Sequence, residues 1–175
     1  RAVAHYAGVD EAALPWGIDG CSAPNYALPL ANLAYAYARL AGDEADAEYG
    51  VAARTLADAM TAYPEMISGE GRSDLALATA GRGDLVAKVG AEGVQAIGVR
   101  SRGIGIAIKV ADGAARGLHP ATVAVLEQLG LLDGRQREAL APWRQPTVRN
   151  CRGIVTGEVR TLVVLDKTDQ RRVQK

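Results

Sequence analysis

Asp19 and Cys21 stand two residues apart in the stretch Gly17-Ile-Asp-Gly-Cys-Ser-Ala-Pro-Asn25, which also holds the Ser22 hydroxyl and the Asn25 amide. Gly17, Gly20 and Pro24 forbid a regular helix here, so the segment reads as a shaped turn. An acid and a thiol in such a turn can converge on one small volume and hold a ligand or a metal ion. The plainer alternative is a polar turn around a buried cysteine.

Lys88 is the second residue that needs a reason. It interrupts the apolar run of Leu85-Val-Ala-Lys-Val-Gly-Ala-Glu-Gly93, and a buried ammonium is costly unless it is paired. One reading places it at a strand edge, where its tip reaches water. The other aims it into a site, where its charge positions substrate or passes protons. Gly90 and Gly93 would let a ligand or another backbone come close, and Glu92 offers a carboxylate nearby.

Other chemistry is sparse. His5 and His119 are the only histidines, too few for a multi-histidine zinc site. His119 precedes Pro120 at an expected helix start, where a capping or surface role is the simplest reading. No Gly-x-Ser-x-Gly elbow or Walker loop is present. Gly69-Glu-Gly71 falls short of a dinucleotide fingerprint, and Arg82-Gly-Asp84 is a chance adhesion tripeptide. Cys21 and Cys151 make no disulfide framework, which points to a reducing cytoplasm; Cys151 reads as a small buried hydrophobe. With 20 basic and 20 acidic side chains and few aromatics, neither nucleic acid nor an anionic membrane is an expected partner. No apolar run approaches the roughly 20 residues of a membrane span.

These residues must be carried by a mixed set of elements. Alanine and leucine favour a helix over 26–39, ended by the polar turn Gly42–Asp46, and a second over 47–61, stopped by Tyr63-Pro64. The glycine-rich loop Ser68–Asp74 leads to a short helix over 74–80. The period then changes. Strands are expected over 85–89, 94–99 and 104–110; Ile104, Ile106 and Ile108 alternate with small residues and should face a helical layer. Arg100-Ser-Arg-Gly103 is a tight connection, so the last two strands should form an antiparallel hairpin. A helix should start at Pro120 and run to Leu131, followed by a strand over 153–159. At 175 residues the chain suits one domain, taken as 1–165, with a polar, disordered tail over 166–175. It opens Arg1-Ala-Val-Ala-His5 with no initiator Met, and reads as a piece of a longer protein.

Taken together, Trp16–Asn25, Tyr26-Ala-Leu-Pro-Leu30 and Lys88-Val-Gly-Ala-Glu-Gly93 resemble the bacterial L-asparaginases of the rhizobial, heat-labile type. The resemblance extends to Tyr63-Pro64 with Gly71-Arg72, to Ile106–Gly113 and to Val148-Arg-Asn150. It implies an α/β (α+β) fold, an antiparallel sheet flanked by helices, similar to serine β-lactamases and glutaminases and incomplete because an N-terminal part is missing. It implies hydrolysis of L-asparagine to L-aspartate and ammonia, with Lys88 catalytic and Asp19 and Glu92 facing substrate. It implies zinc, with Cys21 as one ligand and a second cysteine and a lysine upstream. A homodimer is compatible with it.

One departure is large. The family's nucleophile lies in a Ser-x-x-Lys motif, and none of Ser22, Ser68, Ser73 and Ser101 has lysine three residues on. The nucleophile is therefore expected upstream, and this chain alone is expected to be inactive. A different class of function competes: a non-catalytic zinc-binding or amino-acid-sensing domain that kept the pocket. An upstream Ser-x-x-Lys followed by Cys-x-x-Lys would favour the enzyme. The plainest reading is a soluble α/β domain with a polar turn and an edge lysine.

Overall fold

The computed structural model describes residues 1–42 and 45–166. Helix α1 (Ala2–Ala7) ends at Gly8 in the left-handed conformation and leads through a 3-10 turn (Glu11–Ala13) to strands β1 (Trp16–Ile18) and β2 (Pro24–Tyr26). Helices α2 (Leu30–Gly42), α3 (Gly50–Ala62), α4 (Glu65–Ser68) and α5 (Ser73–Gly81) follow. Next come strands β3 (Leu85–Gly90), β4 (Val94–Val99) and β5 (Ile104–Lys109), then helices α6 (Ala115–Gln128) and α7 (Gly134–Arg144). Strands β6 (Thr147–Arg149) and β7 (Val155–Glu158) close the described chain.

The central sheet is antiparallel in the order β3-β4-β5, with Ala87 opposite Ile97 and Ile97 opposite Ile106. Strand alternation divides its side chains between two helical layers. Leu85, Ala87, Ile97, Val99 and Ile106 pack against Leu77 of α5, Val123 and Leu126 of α6 and Leu140 of α7, with Ile104 and Ile108 at the margin of the same cluster. Each fully buried leucine, isoleucine and valine of this set contributes on the order of 1.5–3 kcal/mol through burial. On the other face, Val86 meets Ala41 of α2 and Ala57 and Met60 of α3. The glycines of that face bring α2 close. A Cβ on Gly98 would lie 2.3 Å from the Tyr37 carbonyl oxygen, and one on Gly105 only 1.7 Å from that of Ala34. The observed architecture is thus a mixed α/β arrangement with small antiparallel sheets flanked by helices.

Several element boundaries differ from the sequence expectation. The helix expected from residue 26 starts at Leu30, because Tyr26 is still paired to Trp16 and the residue before Pro29 is held out of helical backbone. The helix expected to begin at Pro120 begins at Ala115, after the Asp112 carboxylate accepts the Ala114 N–H at 2.9 Å. Pro120 therefore sits inside α6, where it forfeits one backbone hydrogen bond. Helix α7 was not expected, although Asp133 and Gln136 form a capping box that the pattern Asp-x-x-Gln announces. Cys151 is exposed rather than buried, since it lies in the turn joining β6 to β7. Positions 43 and 44 of the expected polar turn, and 167–175 of the expected tail, lie outside the described residues.

Candidate active-site cavity

A cavity of about 690 Å³ opens where the start of α5, the edge strand β3, its turn to β4, and α6 meet. Arg72, Ser73, Lys88, Glu92, His119 and Trp143 contribute to its wall. Lys88 is on an edge strand and its side chain is 44% exposed. Its ammonium donates to the Val89 carbonyl at 2.6 Å and stands 3.8 Å from Asp74 Oδ2. The position is a strand edge, and that edge borders a cavity.

Asp74 is the buried partner. The residue is 1% exposed, and its carboxylate accepts the Val89 N–H at 2.7 Å and the Gln95 amide at 3.1 Å. Those two donors, with the ammonium beyond them, offset the cost of burying the charge. The charge reaches α2 as well: burial, and then Asp74, raise the Tyr37 phenol to about 12.

Glu92 lies in the turn between β3 and β4 with φ +59°, a left-handed conformation that costs a non-glycine residue roughly 1 kcal/mol. The turn is held from outside. Lys109 donates to the Glu92 carbonyl at 2.6 Å, and Gly93 packs so closely on Gly113 that a Cβ there would come within 3.0 Å of its backbone.

His119 corrects the capping and surface reading, because the helix begins four residues before it. Its ring meets Trp143 edge-on, with centroids 5.0 Å apart and planes at 82°. Nδ1 is buried without a hydrogen-bond partner. Burial lowers the pKa of His119 from the ordinary 6.5; the Asp74 charge opposes that shift and Arg72 reinforces it. Sequence pattern alone singles out neither Asp74 nor Trp143, and Arg72 only within the Gly71-Arg72 resemblance. A lone Asp directly ahead of the apolar run Leu75–Ala78 was the one available signal.

Asp19 and Cys21 sit elsewhere, on the exposed hairpin of β1 and β2. Asp19 Oδ1 accepts the N–H groups of Cys21 at 2.9 Å and Ala23 at 3.1 Å, so its carboxylate shapes the turn in which Cys21 is exposed and free. Neither residue lines the cavity that Lys88 borders. Among the described residues, no three His, Cys, Asp or Glu side chains come together as a metal site. A tetrahedral zinc centre needs more donors than this turn supplies, so the described residues do not by themselves fit one.

The sequence profile of the L-asparaginase II family matches residues 1–161. The chain belongs to the L-asparaginase II family. The match spans both the Trp16–Asn25 hairpin and the Lys88–Gly93 turn, as well as every element of the central sheet. L-asparaginases are amidohydrolases, and the family's substrate is asparagine. No curated protein sequence matches the chain. Among the described residues of this asparaginase-family chain, no helix is long and apolar enough to cross a membrane.

Proposed function

We propose that this chain serves the hydrolysis of L-asparagine to L-aspartate and ammonia, and that the cavity beside Lys88 receives the substrate. The observation that carries this reading is the meeting of Lys88 and Glu92 in one cavity of an asparaginase-family chain. Asparagine presents a carboxylate, an ammonium and an amide. Lys88 and Arg72 suit the first and the Glu92 carboxylate suits the second; Asp19, on the β1–β2 hairpin outside this cavity, is assigned to the ammonium or amide by the family resemblance alone.

The nucleophile is assigned to a serine upstream of Arg1, in a Ser-x-x-Lys motif. Its hydroxyl would attack the side-chain amide carbon, ammonia would leave, and water would release aspartate from the acyl-enzyme. Lys88 would pass protons to and from that serine and stabilise negative charge on the tetrahedral oxygen. Cys21 is assigned as this chain's one ligand to a zinc ion whose other protein ligands lie upstream, and no step of the chemistry depends on it here. Two free cysteines suit a reducing cytoplasm.

The test is ammonia release by a longer protein that carries the upstream serine motif. Lys88→Met should leave the circular dichroism unchanged and cut turnover about 100-fold or more, the lower range for a positioned acid–base group. Turnover close to that of the unaltered protein would sink the assignment. One observation favours a second reading: none of the four serines has lysine three residues on. An amino-acid-binding domain without catalysis would bind L-asparagine in calorimetry and release no ammonia even in the longer protein.

A further inference from the structure

His119 is the one imidazole in the cavity, and its two nitrogens stand in different surroundings. Nδ1 is closed off without a partner, while the ring forms part of the cavity wall. That asymmetry selects a protonation state. A proton on Nδ1 would leave a buried N–H donor unsatisfied, the rarer and costlier kind of orphan; a bare lone pair there is tolerated better. The neutral ring therefore keeps its proton on Nε2, the nitrogen that is not closed off without a partner. The edge-on contact with Trp143 fixes the plane of the ring. Asp74, Lys88, Arg72 and Glu92 are the charged groups around it, drawn from α5, the loop before it, β3 and the following turn. Burial, the largest influence, keeps the ring neutral against the pull of Asp74.

We propose that His119 is a ligand-orienting residue that donates a neutral Nε2–H hydrogen bond to a carboxylate or carboxamide oxygen of the amino acid held in the cavity. This rests on the reading of that cavity as the substrate site. An uncharged donor beside Arg72 and Lys88 suits the role, since it fixes the orientation of an oxygen without adding a third positive charge.

The chain has only two histidines, so long-range 1H–15N spectra of the unaltered protein, assigned with His5→Gln, report on His119 directly. With L-asparagine or L-aspartate added, the Nε2 resonance of His119 should move. Before addition the ring should be neutral at pH 7, with a protonated-type shift on Nε2 and an unprotonated-type shift on Nδ1. In calorimetry, His119→Phe should weaken Kd for L-aspartate about tenfold, or about 1.4 kcal/mol. His119→Gln, which keeps an N–H donor, should stay within about threefold of the unaltered chain. The outcomes separate the two readings. Binding that Lys88→Met weakens while His119 resonances stay still and His119→Phe binds normally overturns the role of His119 and leaves the cavity standing. Absence of binding by either amino acid overturns the cavity and His119 together. The spectra use the unaltered chain, so they decide the matter even if the Phe variant does not fold.

Discussion

Val89 donates its backbone N–H to Asp74 Oδ2 over 2.7 Å, which ties the first turn of α5 to the residue that follows Lys88. Because β3 is an edge strand, its outward N–H groups have no neighbouring strand to bond. A buried carboxylate takes that place, and the same carboxylate accepts from Gln95 on β4. Two strands and a helix therefore share one buried charged group beside Lys88.

Asp74→Ala should destabilise the chain by about 3 kcal/mol, because it leaves the Val89 N–H without its acceptor and takes from the buried Gln95 amide the nearer of its two. Asp74→Asn keeps one acceptor oxygen and should cost less. Urea unfolding measures both. A midpoint for the Ala variant equal to that of the unaltered chain would show that water replaces the carboxylate at no cost.

Gly105→Ala should be more damaging than its size suggests. The new methyl would meet the Ala34 carbonyl oxygen at 1.7 Å, so α2 would have to lift from the sheet. Overpacking of this kind costs about 3 kcal/mol. Gly157→Ala, with nothing within 4 Å of its Cβ, is the control and should change the thermal midpoint little. Equal midpoints for the two variants would contradict the close approach of α2.

Asp46 sets an acid limit. Its carboxyl is held down at about 2, from 3.8, first by the Tyr49 N–H and then by the His5 side chain. His5 Nε2 lies 2.6 Å and Arg39 Nη2 2.8 Å from Asp46 Oδ2. A carboxyl depressed in the folded state binds fewer protons there than in the unfolded state, so its stabilisation is present above pH 3.8 and is lost as pH falls towards 2. Thermal midpoints should therefore drop more steeply with acid for the unaltered chain than for Asp46→Asn. Parallel curves across that window would remove Asp46 from the account.

Cys21 and Cys151 are both free and exposed, so a maleimide should label both in the native state. If Cys21 is one ligand of a zinc site completed upstream, the 175-residue chain should bind zinc weakly and a longer protein tightly. Cys21→Ser should then weaken zinc binding in the longer protein, more so at acid pH, where protons compete for thiolate. Equal affinity for the longer protein and its Ser variant, by calorimetry, would release Cys21 from that role.

Much of the central sheet was legible in the order of residues. Ile104, Ile106 and Ile108 alternate with Gly105 and Ala107, and only one register of a half-buried strand keeps such a set on one face. The short connection Arg100–Gly103 then required an antiparallel return, which the Val99–Ile104 pairing meets. Lys88 stood out for the same kind of local reason: an ammonium inside an apolar run must find a partner or an edge.

Local pattern could not say which partner. Asp74 lies fourteen residues before Lys88, and their approach depends on how α5 folds back on the edge of β3. His119 shows the same limit. Its proline neighbour suggested a helix start, a local preference, whereas the helix begins earlier, at Ala115, after the turn in which Asp112 accepts the Ala114 N–H, and the imidazole lies in the cavity wall. The sequence by itself determined the three strands of the central sheet and their antiparallel succession, because periodicity and turn chemistry act between near neighbours. Only the tertiary structure decided which charges meet, because burial and Coulomb energy depend on distances that the packing of helices on the sheet creates.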